Sequence, residues 1–320
     1  MDIFKLKQNN TTVKTELNAA LTTFLAMLYI VPVNALILSD AGMPKDALLV
    51  ATALITIIAT IFNGLWANTP VALSTGMGLN AYFTYSMVIG MQIPWQTALG
   101  AIFISSAIFT ILSFTNFRLW IIKNIPLDLR CAISAGIGAF ICFIGLSQMG
   151  LIVASPATKV AIGNISDPKV LVGVIGIIFM ILFWTLKLRG GFVLAIAVTS
   201  IGAWIFGIYE TPKEIISIPV SIAPIFGELD ILSALKISLL PAVLTLFVTH
   251  LFDSIGTLTG VGNRANLFTH ADGEKKLAKN LESDAIASMG GAVIGTSTIT
   301  AFAESASGVE AGGRTGLTAV

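Results

Sequence analysis

Charged residues are scarce in this sequence, at 11% of its 320 positions, whereas a typical soluble domain carries about 25%. Hydrophobic residues make up 55% of the chain, and the mean hydropathy is +0.90. A chain of this composition is expected to lie largely within a lipid bilayer. Basic residues form no run interleaved with aromatic ones, and the formal net charge is +1, so nucleic acid is not an expected partner.

Cysteine is nearly absent, since Cys131 and Cys142 are the only two and lie eleven positions apart in one apolar stretch. They are too few for a disulfide framework and wrongly spaced for a zinc site, so we expect both to be packing residues. The sequence also lacks a phosphate-binding loop and a zinc-protease histidine pair, and neither His250 nor His270 belongs to a nucleophile elbow. We therefore expect no cofactor, no metal and no enzyme activity.

Long apolar stretches are abundant, and about 20 apolar residues suffice for a helix to cross a bilayer. Ten spans are predicted, the last of them incomplete, near residues 18–38, 47–66, 73–91, 95–115, 131–153, 169–187, 190–209, 237–260, 281–299 and 303–320. The polar segment before the eighth span contains Pro212, Pro219 and Pro224, which disfavour a helix. The first apolar run is too long for a signal-peptide core, so we expect it to remain as a membrane helix.

The distribution of lysine and arginine predicts the orientation in the membrane, because cytoplasmic loops are enriched in both. Five basic residues fall on the side opposite to the N-terminus: Lys45, Lys159, Lys169, Lys213 and Lys236. The others fall on the N-terminal side: Lys5, Lys7, Lys14, Arg118, Lys123, Arg130, Lys187, Arg189, Arg264, Lys275, Lys276, Lys279 and Arg314. This bias predicts a multi-pass protein of the cell inner (plasma) membrane with a cytoplasmic N-terminus. The charged segment 266–282 is interpreted as a solvated cytoplasmic loop.

An odd number of spans precedes the polar loop, so a second copy of the first unit would be inverted in the membrane. The third span and the stretch that leads into the tenth span, residues 72–83 and 295–304, both combine glycine, hydroxyl side chains and one strongly polar residue, Asn80 or Glu304. Each glycine lowers helix stability by up to about 1 kcal/mol. The pattern predicts two interrupted helices at a binding site, and close helix packing is the alternative explanation.

Four ionisable side chains, His250, Asp253, Asp284 and Glu304, lie in or at the ends of apolar stretches. A charge inside a bilayer is costly and usually marks a pathway or a ligand site. His250 and Asp253 are three residues apart and share one helix face, so they either share a proton or satisfy each other structurally. Asp284 has either a site role or a salt-bridge role at a helix end.

Glu304 is the first candidate for substrate binding, because its carboxylate can accept two hydrogen bonds from the N–H groups of a flat heterocycle. Backbone amides at the interrupted helix ends are expected to serve the carbonyl oxygens of the ligand. Phe83 and Phe302 either stack on the ligand or pack in the core. Thr300 and Ser305 complete the candidate substrate-binding set, as polar lining beside Glu304.

Four segments of the chain carry a resemblance to a known family. They are Thr22-Thr-Phe-Leu-Ala-Met-Leu-Tyr-Ile30, Gly76-Met-Gly-Leu-Asn-Ala-Tyr82, Leu251-Phe-Asp-Ser-Ile-Gly-Thr-Leu258 and Glu304-Ser-Ala-Ser-Gly-Val-Glu-Ala-Gly-Gly-Arg-Thr-Gly-Leu317. With them, the sequence from Thr11 onward resembles the AzgA-like hypoxanthine/guanine permeases of the nucleobase–cation symporter (nucleobase/ascorbate transporter) group.

The resemblance implies an all-α polytopic membrane protein of fourteen spans with a uracil-permease-like fold, in which two inverted seven-helix repeats form a core and a gate. Short strands are expected in spans three and ten. The implied segments are a cytoplasmic N-terminus, the core and gate of the first repeat, an extracytoplasmic loop and an incomplete second core, at 1–16, 17–115, 116–210, 211–234 and 235–320. About four spans would be missing, so we expect a truncated chain.

Carried over by position, the resemblance implies that Glu304 and Asn80 bind substrate and that Asp253 and Asp284 are the acids of spans eight and nine. His250 stands where the first acid of an Asp-Leu-Phe-Asp pattern is expected, which leaves open which residue of span eight contacts the base. Asp253, His250 and Asp284 are the candidates for proton coupling.

The function expected from these residues is proton symport of purine bases, hypoxanthine or guanine first and adenine next, and a homodimer is the assembly considered. An anion exchanger of the same architecture and a non-transporting membrane fragment are the alternatives.

Overall fold

The computed structural model describes residues 3–115, 127–156, 158–186, 188, 190–210, 218–265, 267 and 273–320. Several positions that the sequence analysis singles out lie outside the described residues: Arg118, Lys123, Lys187, Arg189, Pro212, Lys213 and His270. Parts of the predicted gate and of the predicted extracytoplasmic loop, 116–126 and 211–217, also lie outside them. The chain forms two compact units, Met1–Gly136 with Val220–Val320 and Ile137–Pro219.

Most of the described residues are helical. The helices are α1 (Val13–Met27), α2 (Ile30–Ser39), α3 (Lys45–Trp66), α4 (Met77–Ala81), a π helix (Tyr82–Gly90), α5 (Trp95–Ser113), α6 (Leu127–Gln148), α7 (Pro168–Thr185), α8 (Gly191–Ile205), α9 (Ile231–Ala234), a 3₁₀ helix (Ile237–Leu239), α10 (Leu240–Ala265), α11 (Gly273–Ile294), α12 (Ser305–Glu310) and α13 (Gly316–Ala319). The strands are β1 (Leu73–Thr75), β2 (Ile152–Ser155), β3 (Lys159–Ile162) and β4 (Ile299–Ala301).

Within the described residues, five helical segments are long and apolar enough to cross a membrane: Val13–Ser39, Lys45–Trp66, Trp95–Ser113, Pro168–Thr185 and Ile237–Gly262. Two shorter apolar helices, Gly138–Gln148 and Gly191–Ile205, accompany them. In the second unit α7 packs on α8, and β2 and β3 form an antiparallel hairpin that the hydropathy pattern does not predict.

Interrupted helices in the first unit position the polar residues. The first span breaks between α1 and α2, so that Tyr29 lies in a turn. The third and tenth spans begin with the short strands β1 and β4, which pair antiparallel with Ser74 opposite Thr300. The strands that the resemblance implies for these two spans are therefore present. Glycine and hydroxyl residues allow the chain to leave the helical conformation there without burying a large side chain.

Each short strand exposes an outer edge, and in a bilayer every backbone group on that edge needs a partner within the protein. Thr60 of α3 donates to the carbonyl of Leu73 (2.9 Å) and accepts from its N–H (3.1 Å). Ser288 of α11 makes the same two bonds to Ile299, at 2.6 and 3.0 Å. One hydroxyl on each neighbouring helix thus serves both backbone groups of the first residue of each strand.

The interpretation of 266–282 as a solvated loop is wrong from Gly273 onward, because α11 begins there, eight residues before the predicted start of the ninth span. Asn280 and Ser283 on this early part of α11 are fully buried. Their side chains hydrogen-bond to Thr69 and Asn63, respectively. Hydropathy misses the segment because its buried contacts are polar.

A pair of adjacent glycines on α11 provides a test of this packing. A Cβ at Gly291 would lie 2.7 Å from the carbonyl oxygen of Ser297, whereas the nearest atom to a Cβ at Gly290 is Ile55 Cδ1 at 3.6 Å. We expect Gly291→Ala to cost about 1–3 kcal/mol through overpacking. Gly290→Ala is expected to be neutral or to stabilise by up to about 1 kcal/mol through helix propensity. Thermal unfolding of both variants in detergent measures the difference, and equal unfolding temperatures would contradict the described approach of α11 to the residues before β4.

Candidate functional site

Glu304 lies in the turn between β4 and α12, where its side chain is partly buried. The hydroxyl of Tyr29 donates a hydrogen bond to its Oε1 atom. Tyr29 lies in the break of the first span, so this bond joins two interrupted helices whose residues are 275 positions apart. Tyr29 was not among the residues predicted for the site, although it lies in one of the four segments that carry the resemblance.

An apolar cluster lies beside this pair. Met27, Ile30, Ala72 and Phe302 are buried in it, and Tyr29 packs against them. Phe302 is two residues before Glu304, and it is 4% exposed. The phenol, with the carboxylate that it contacts, is therefore at the edge of a buried apolar cluster, and sites for small flat ligands combine such apolar packing with a few polar groups.

A second acidic group lies at the opposite end of the strand pair. Thr300, in the middle of β4, is 3.3 Å from the hydroxyl of Ser254 and interacts with the carboxylate of Asp253. A Cβ at Gly76 would lie 2.8 Å from Thr300 Cγ2 and 3.6 Å from Asp253 Oδ2. Because Gly76 has no side chain, the backbone between β1 and α4 can approach both Thr300 and Asp253 closely. The structure brings Asp253 and Thr300 together as candidate residues.

His250 is paired with Asp284 rather than with Asp253. Its Nε2 atom is 2.9 Å from Asp284 Oδ1 and 3.3 Å from the hydroxyl of Ser288, and both His250 and Asp284 are fully buried. The ring of Phe109 packs edge-on against the imidazole at 4.7 Å between centroids. His250 Nδ1 and Asp284 Oδ2 are buried without a hydrogen-bond partner within the described part of the chain. Asp284 therefore pairs with His250 between α10 and α11, in the middle of its helix and not at a helix end.

Asn80 and Phe83 occupy a different environment from Glu304. Asn80 is fully buried, and its amide donates to Asn34, which in turn donates to Thr52 (2.6 Å) and Thr296 (3.1 Å). Phe83 is fully buried in an apolar cluster with residues of α2, α3 and α5. The structure thus places Asn80 in a polar network and Phe83 in a core, and neither is in contact with Phe302 or Glu304 in the described contacts.

The backbone amides of residues 305–307 at the tenth span are already used within the protein, so the expectation that amides there serve a ligand stays a prediction for Ala303 and Glu304. The N–H groups of Ser305, Ala306 and Ser307 donate to the carbonyls three residues earlier, at 3.0–3.1 Å. The hydroxyl of Ser305 accepts from the N–H of Ala72 at 3.0 Å, so it braces the start of β1.

Glu16 is a buried acid that the sequence analysis did not identify. It lies on α1 and is fully buried. Oε1 accepts from the N–H of Arg314 at 3.0 Å, and Oε2 accepts from the N–H of Thr315 (3.2 Å) and from the hydroxyls of Thr315 (2.9 Å) and Thr318 (2.6 Å). These four bonds fix the turn between α12 and α13 against α1.

Glycines in the same turn permit this close packing. A Cβ at Gly308 would lie 2.0 Å from the hydroxyl oxygen of Thr23 on α1. A Cβ at Gly316 would lie 1.9 Å from the carbonyl oxygen of Gly64 on α3. The glycine-rich segment after Glu304 therefore has a packing function as well as interrupting the helix.

An open cleft of about 480 Å³ lies elsewhere, between the N-terminal end of α5 and the residues around α9. Asp230 caps α9, and hydrogen bonds from Ser233 hold the pKa of its carboxyl below the ordinary value. None of the residues that line this cleft is among the candidate site residues, so its geometry does not bear on the chemistry of Glu304.

Comparisons with known proteins agree with this architecture. The model of the Permease family (Xan_ur_permease) matches residues 14–320. The chain is 41% identical over 318 residues to adenine permease AdeP of Escherichia coli, covering 99% of this chain and 71% of that protein. It is 39% identical over 331 residues to guanine/hypoxanthine permease PbuG of Bacillus subtilis, covering 99% and 74%. The transmembrane domain of the cyanobacterium bicarbonate transporter BicA has the same fold, with a TM-score of 0.67 at 15% identity, covering 96% of this chain and 79% of that one.

Proposed function

Since the chain belongs to the Permease family, whose members are multi-pass membrane transporters and not enzymes, we propose that it takes up purine nucleobases by secondary active transport. Relatives named as adenine permeases and as guanine/hypoxanthine permeases support a purine base as the substrate. The observation that carries the proposal is the partly buried Glu304 carboxylate bonded to Tyr29 at the edge of an apolar cluster, because purine bases combine a flat apolar ring with N–H donors.

An inorganic anion fits this site poorly, although the fold is shared with a bicarbonate transporter. A carboxylate at the end of β4 repels an anion, and the guanidinium of Arg314 is engaged by the carbonyls of Val309 and Gly313, at 2.7 Å each. A neutral base with N–H groups is attracted by the same carboxylate.

Uptake of labelled hypoxanthine, guanine and adenine by cells expressing the chain tests the proposal. We expect saturable uptake of at least one purine above that of cells carrying the empty vector, and competition among the three bases. Bicarbonate is expected not to compete. Uptake that does not saturate, or that bicarbonate abolishes, would contradict a purine-binding site.

The buried His250–Asp284 pair and the nearby Asp253 supply the groups that we propose for proton coupling. Ser288 contacts His250 and also completes the edge of β4, so a change of charge on His250 acts on a hydroxyl bonded to the first residue of that strand. A proton taken up at this pair would then change the hydrogen bonds that hold β4 in place.

A vesicle experiment tests the coupling. We expect His250→Gln to lose the stimulation of hypoxanthine uptake by an inward proton gradient, about tenfold in initial rate, while equilibrium binding stays within threefold. The reason is that glutamine keeps a hydrogen-bonding amide but takes up no proton. Asp46→Asn, an exposed acid on α3, is the control. Gradient-driven uptake by His250→Gln equal to that of the unchanged chain would show that His250 is not a coupling residue.

Matched contacts support the proposed inverted repeat. Thr60 and Ser288 each serve the first residue of the strand that follows their own helix. Three residues further along the same helices, Asn63 donates to the carbonyl of Val71, and Gly291 lies close to the carbonyl of Ser297. Each of these carbonyls belongs to the residue two positions before the strand. We propose on this basis that 17–115 and 235–320 are corresponding halves of a core, with the N-terminus in the cytoplasm, as the lysine and arginine bias predicts.

A further inference from the structure

Tyr29 is the one side chain hydrogen-bonded to the Glu304 carboxylate in the described part of the chain. A carboxylate has two oxygens, and each needs donors when water is largely excluded. Because the Tyr29 hydroxyl serves Oε1, the protein itself meets part of this need. A ligand therefore has to donate only to the remaining oxygen.

The phenol is held in place by the protein independently of a ligand. Its ring packs against Met27, Ile30 and Phe302, and its backbone carbonyl accepts from the N–H of Val33 at 3.2 Å. Phenylalanine at position 29 would keep this packing and remove only the hydroxyl. The role of the hydroxyl is thus separable from that of the ring.

We propose that Tyr29 is a specificity-determining residue. By donating to one oxygen of Glu304, its hydroxyl allows a base with a single N–H donor to bind with the same affinity as a base with two adjacent donors. This inference rests on the proposed function. Hypoxanthine presents one N–H at its six-membered ring, adenine presents an amino group beside a ring acceptor, and guanine presents an N–H beside its 2-amino group. Without the Tyr29 hydroxyl, only guanine satisfies both carboxylate oxygens, since a buried charged acceptor left unpaired is costly.

The experiment compares binding of labelled hypoxanthine to membranes that contain the unchanged chain, Tyr29→Phe or Tyr85→Phe, with hypoxanthine, guanine and adenine as competitors. The hydroxyl of Tyr85 donates to Asp40 at 2.8 Å outside the site, so this variant removes a second tyrosine–carboxylate bond as a control. In the unchanged chain and in Tyr85→Phe, we expect hypoxanthine and guanine to bind within about threefold of each other.

In Tyr29→Phe, we expect hypoxanthine and adenine to weaken about tenfold more than guanine. Equal weakening of all three bases would show that Tyr29 only orients the carboxylate, and would overturn the inference while the proposed function stands. If the unchanged chain bound guanine more than tenfold more tightly than hypoxanthine, the inference would also be overturned. This comparison needs no variant, so it holds even if Tyr29→Phe fails to fold. An unchanged chain that binds none of the three purines would overturn the proposed function and this inference together.

Discussion

Glu304→Gln is expected to lower purine affinity about a hundredfold, which corresponds to about 2.7 kcal/mol of binding free energy. Glutamine is close to glutamate in size, but it replaces one acceptor oxygen with an N–H₂ donor and removes the charge. A base N–H that faced the carboxylate oxygen then meets another donor, and a hydrogen bond to a charged group, which contributes about 1.5–3 kcal/mol, is lost. Competition binding with labelled hypoxanthine measures the change.

Glu310→Gln is the matched control for this variant, because Glu310 lies on the same short helix, α12, and is exposed. It is expected to bind purines with the affinity of the unchanged chain. If Glu304→Gln also kept that affinity while remaining folded, Glu304 would not contact the base, and the site would have to be sought near Asp253.

Glu16→Ala is expected to have the largest effect on folding, with a loss of the order of 4 kcal/mol or more. The substitution removes the acceptor of two backbone N–H groups and two hydroxyls between Arg314 and Thr318. Each buried donor left unpaired costs about 1–3 kcal/mol. Glu16→Gln keeps one acceptor oxygen and is expected to be intermediate. Thermal unfolding in detergent measures both variants.

Lys14→Ala, an exposed position on the same helix, is expected to unfold within a few degrees of the unchanged chain and serves as the control. Purine binding by Glu16→Gln adds a functional measurement, since the turn that Glu16 fixes follows Glu304 in the chain. An unfolding temperature of Glu16→Ala equal to that of Lys14→Ala would show that the segment after α12 is held by other contacts.

The interruptions of the third and tenth spans were predictable from sequence because their cause is local. Glycine and hydroxyl residues around Ser74 and Thr300 weaken a helix by their own conformational properties, wherever the rest of the chain lies. The membrane setting was predictable for a similar reason, since hydropathy is a sum over neighbouring residues. Glu304 was identifiable as a candidate because a carboxylate in such a setting is costly.

The partners of these residues were not predictable in the same way. Tyr29 and Glu304 are separated by 275 positions, and Glu16 and Arg314 by 298, so only the folded chain brings them together. Glu16 also resembles an ordinary acid near the start of a helix, where a carboxylate is common. Burial, which distinguishes it from such an acid, depends on the glycine-rich turn that packs over it.

Other expectations from sequence depended on the orientation of each helix, that is, on which neighbouring element its side chains contact. His250 and Asp253 are close in sequence, but His250 bonds to Asp284 on another helix, and sequence spacing carries no information on that neighbour. Phe83 was a candidate for stacking on a ligand, and periodicity alone does not separate a ligand-facing aromatic side chain from one packed in a core. A single sequence gives the spacing of such residues and not the neighbour that each one meets.

The pairing of β1 with β4 restricts the path that a solute can take across the membrane. Separating them would leave peptide groups facing hydrocarbon with no water to receive them, at several kcal/mol for each group. Sliding either strand by a single residue would turn its central side chain, Ser74 on β1 or Thr300 on β4, to the opposite face. We therefore expect the two strands to stay paired during transport, so that a molecule that crosses the bilayer passes beside them or moves together with them.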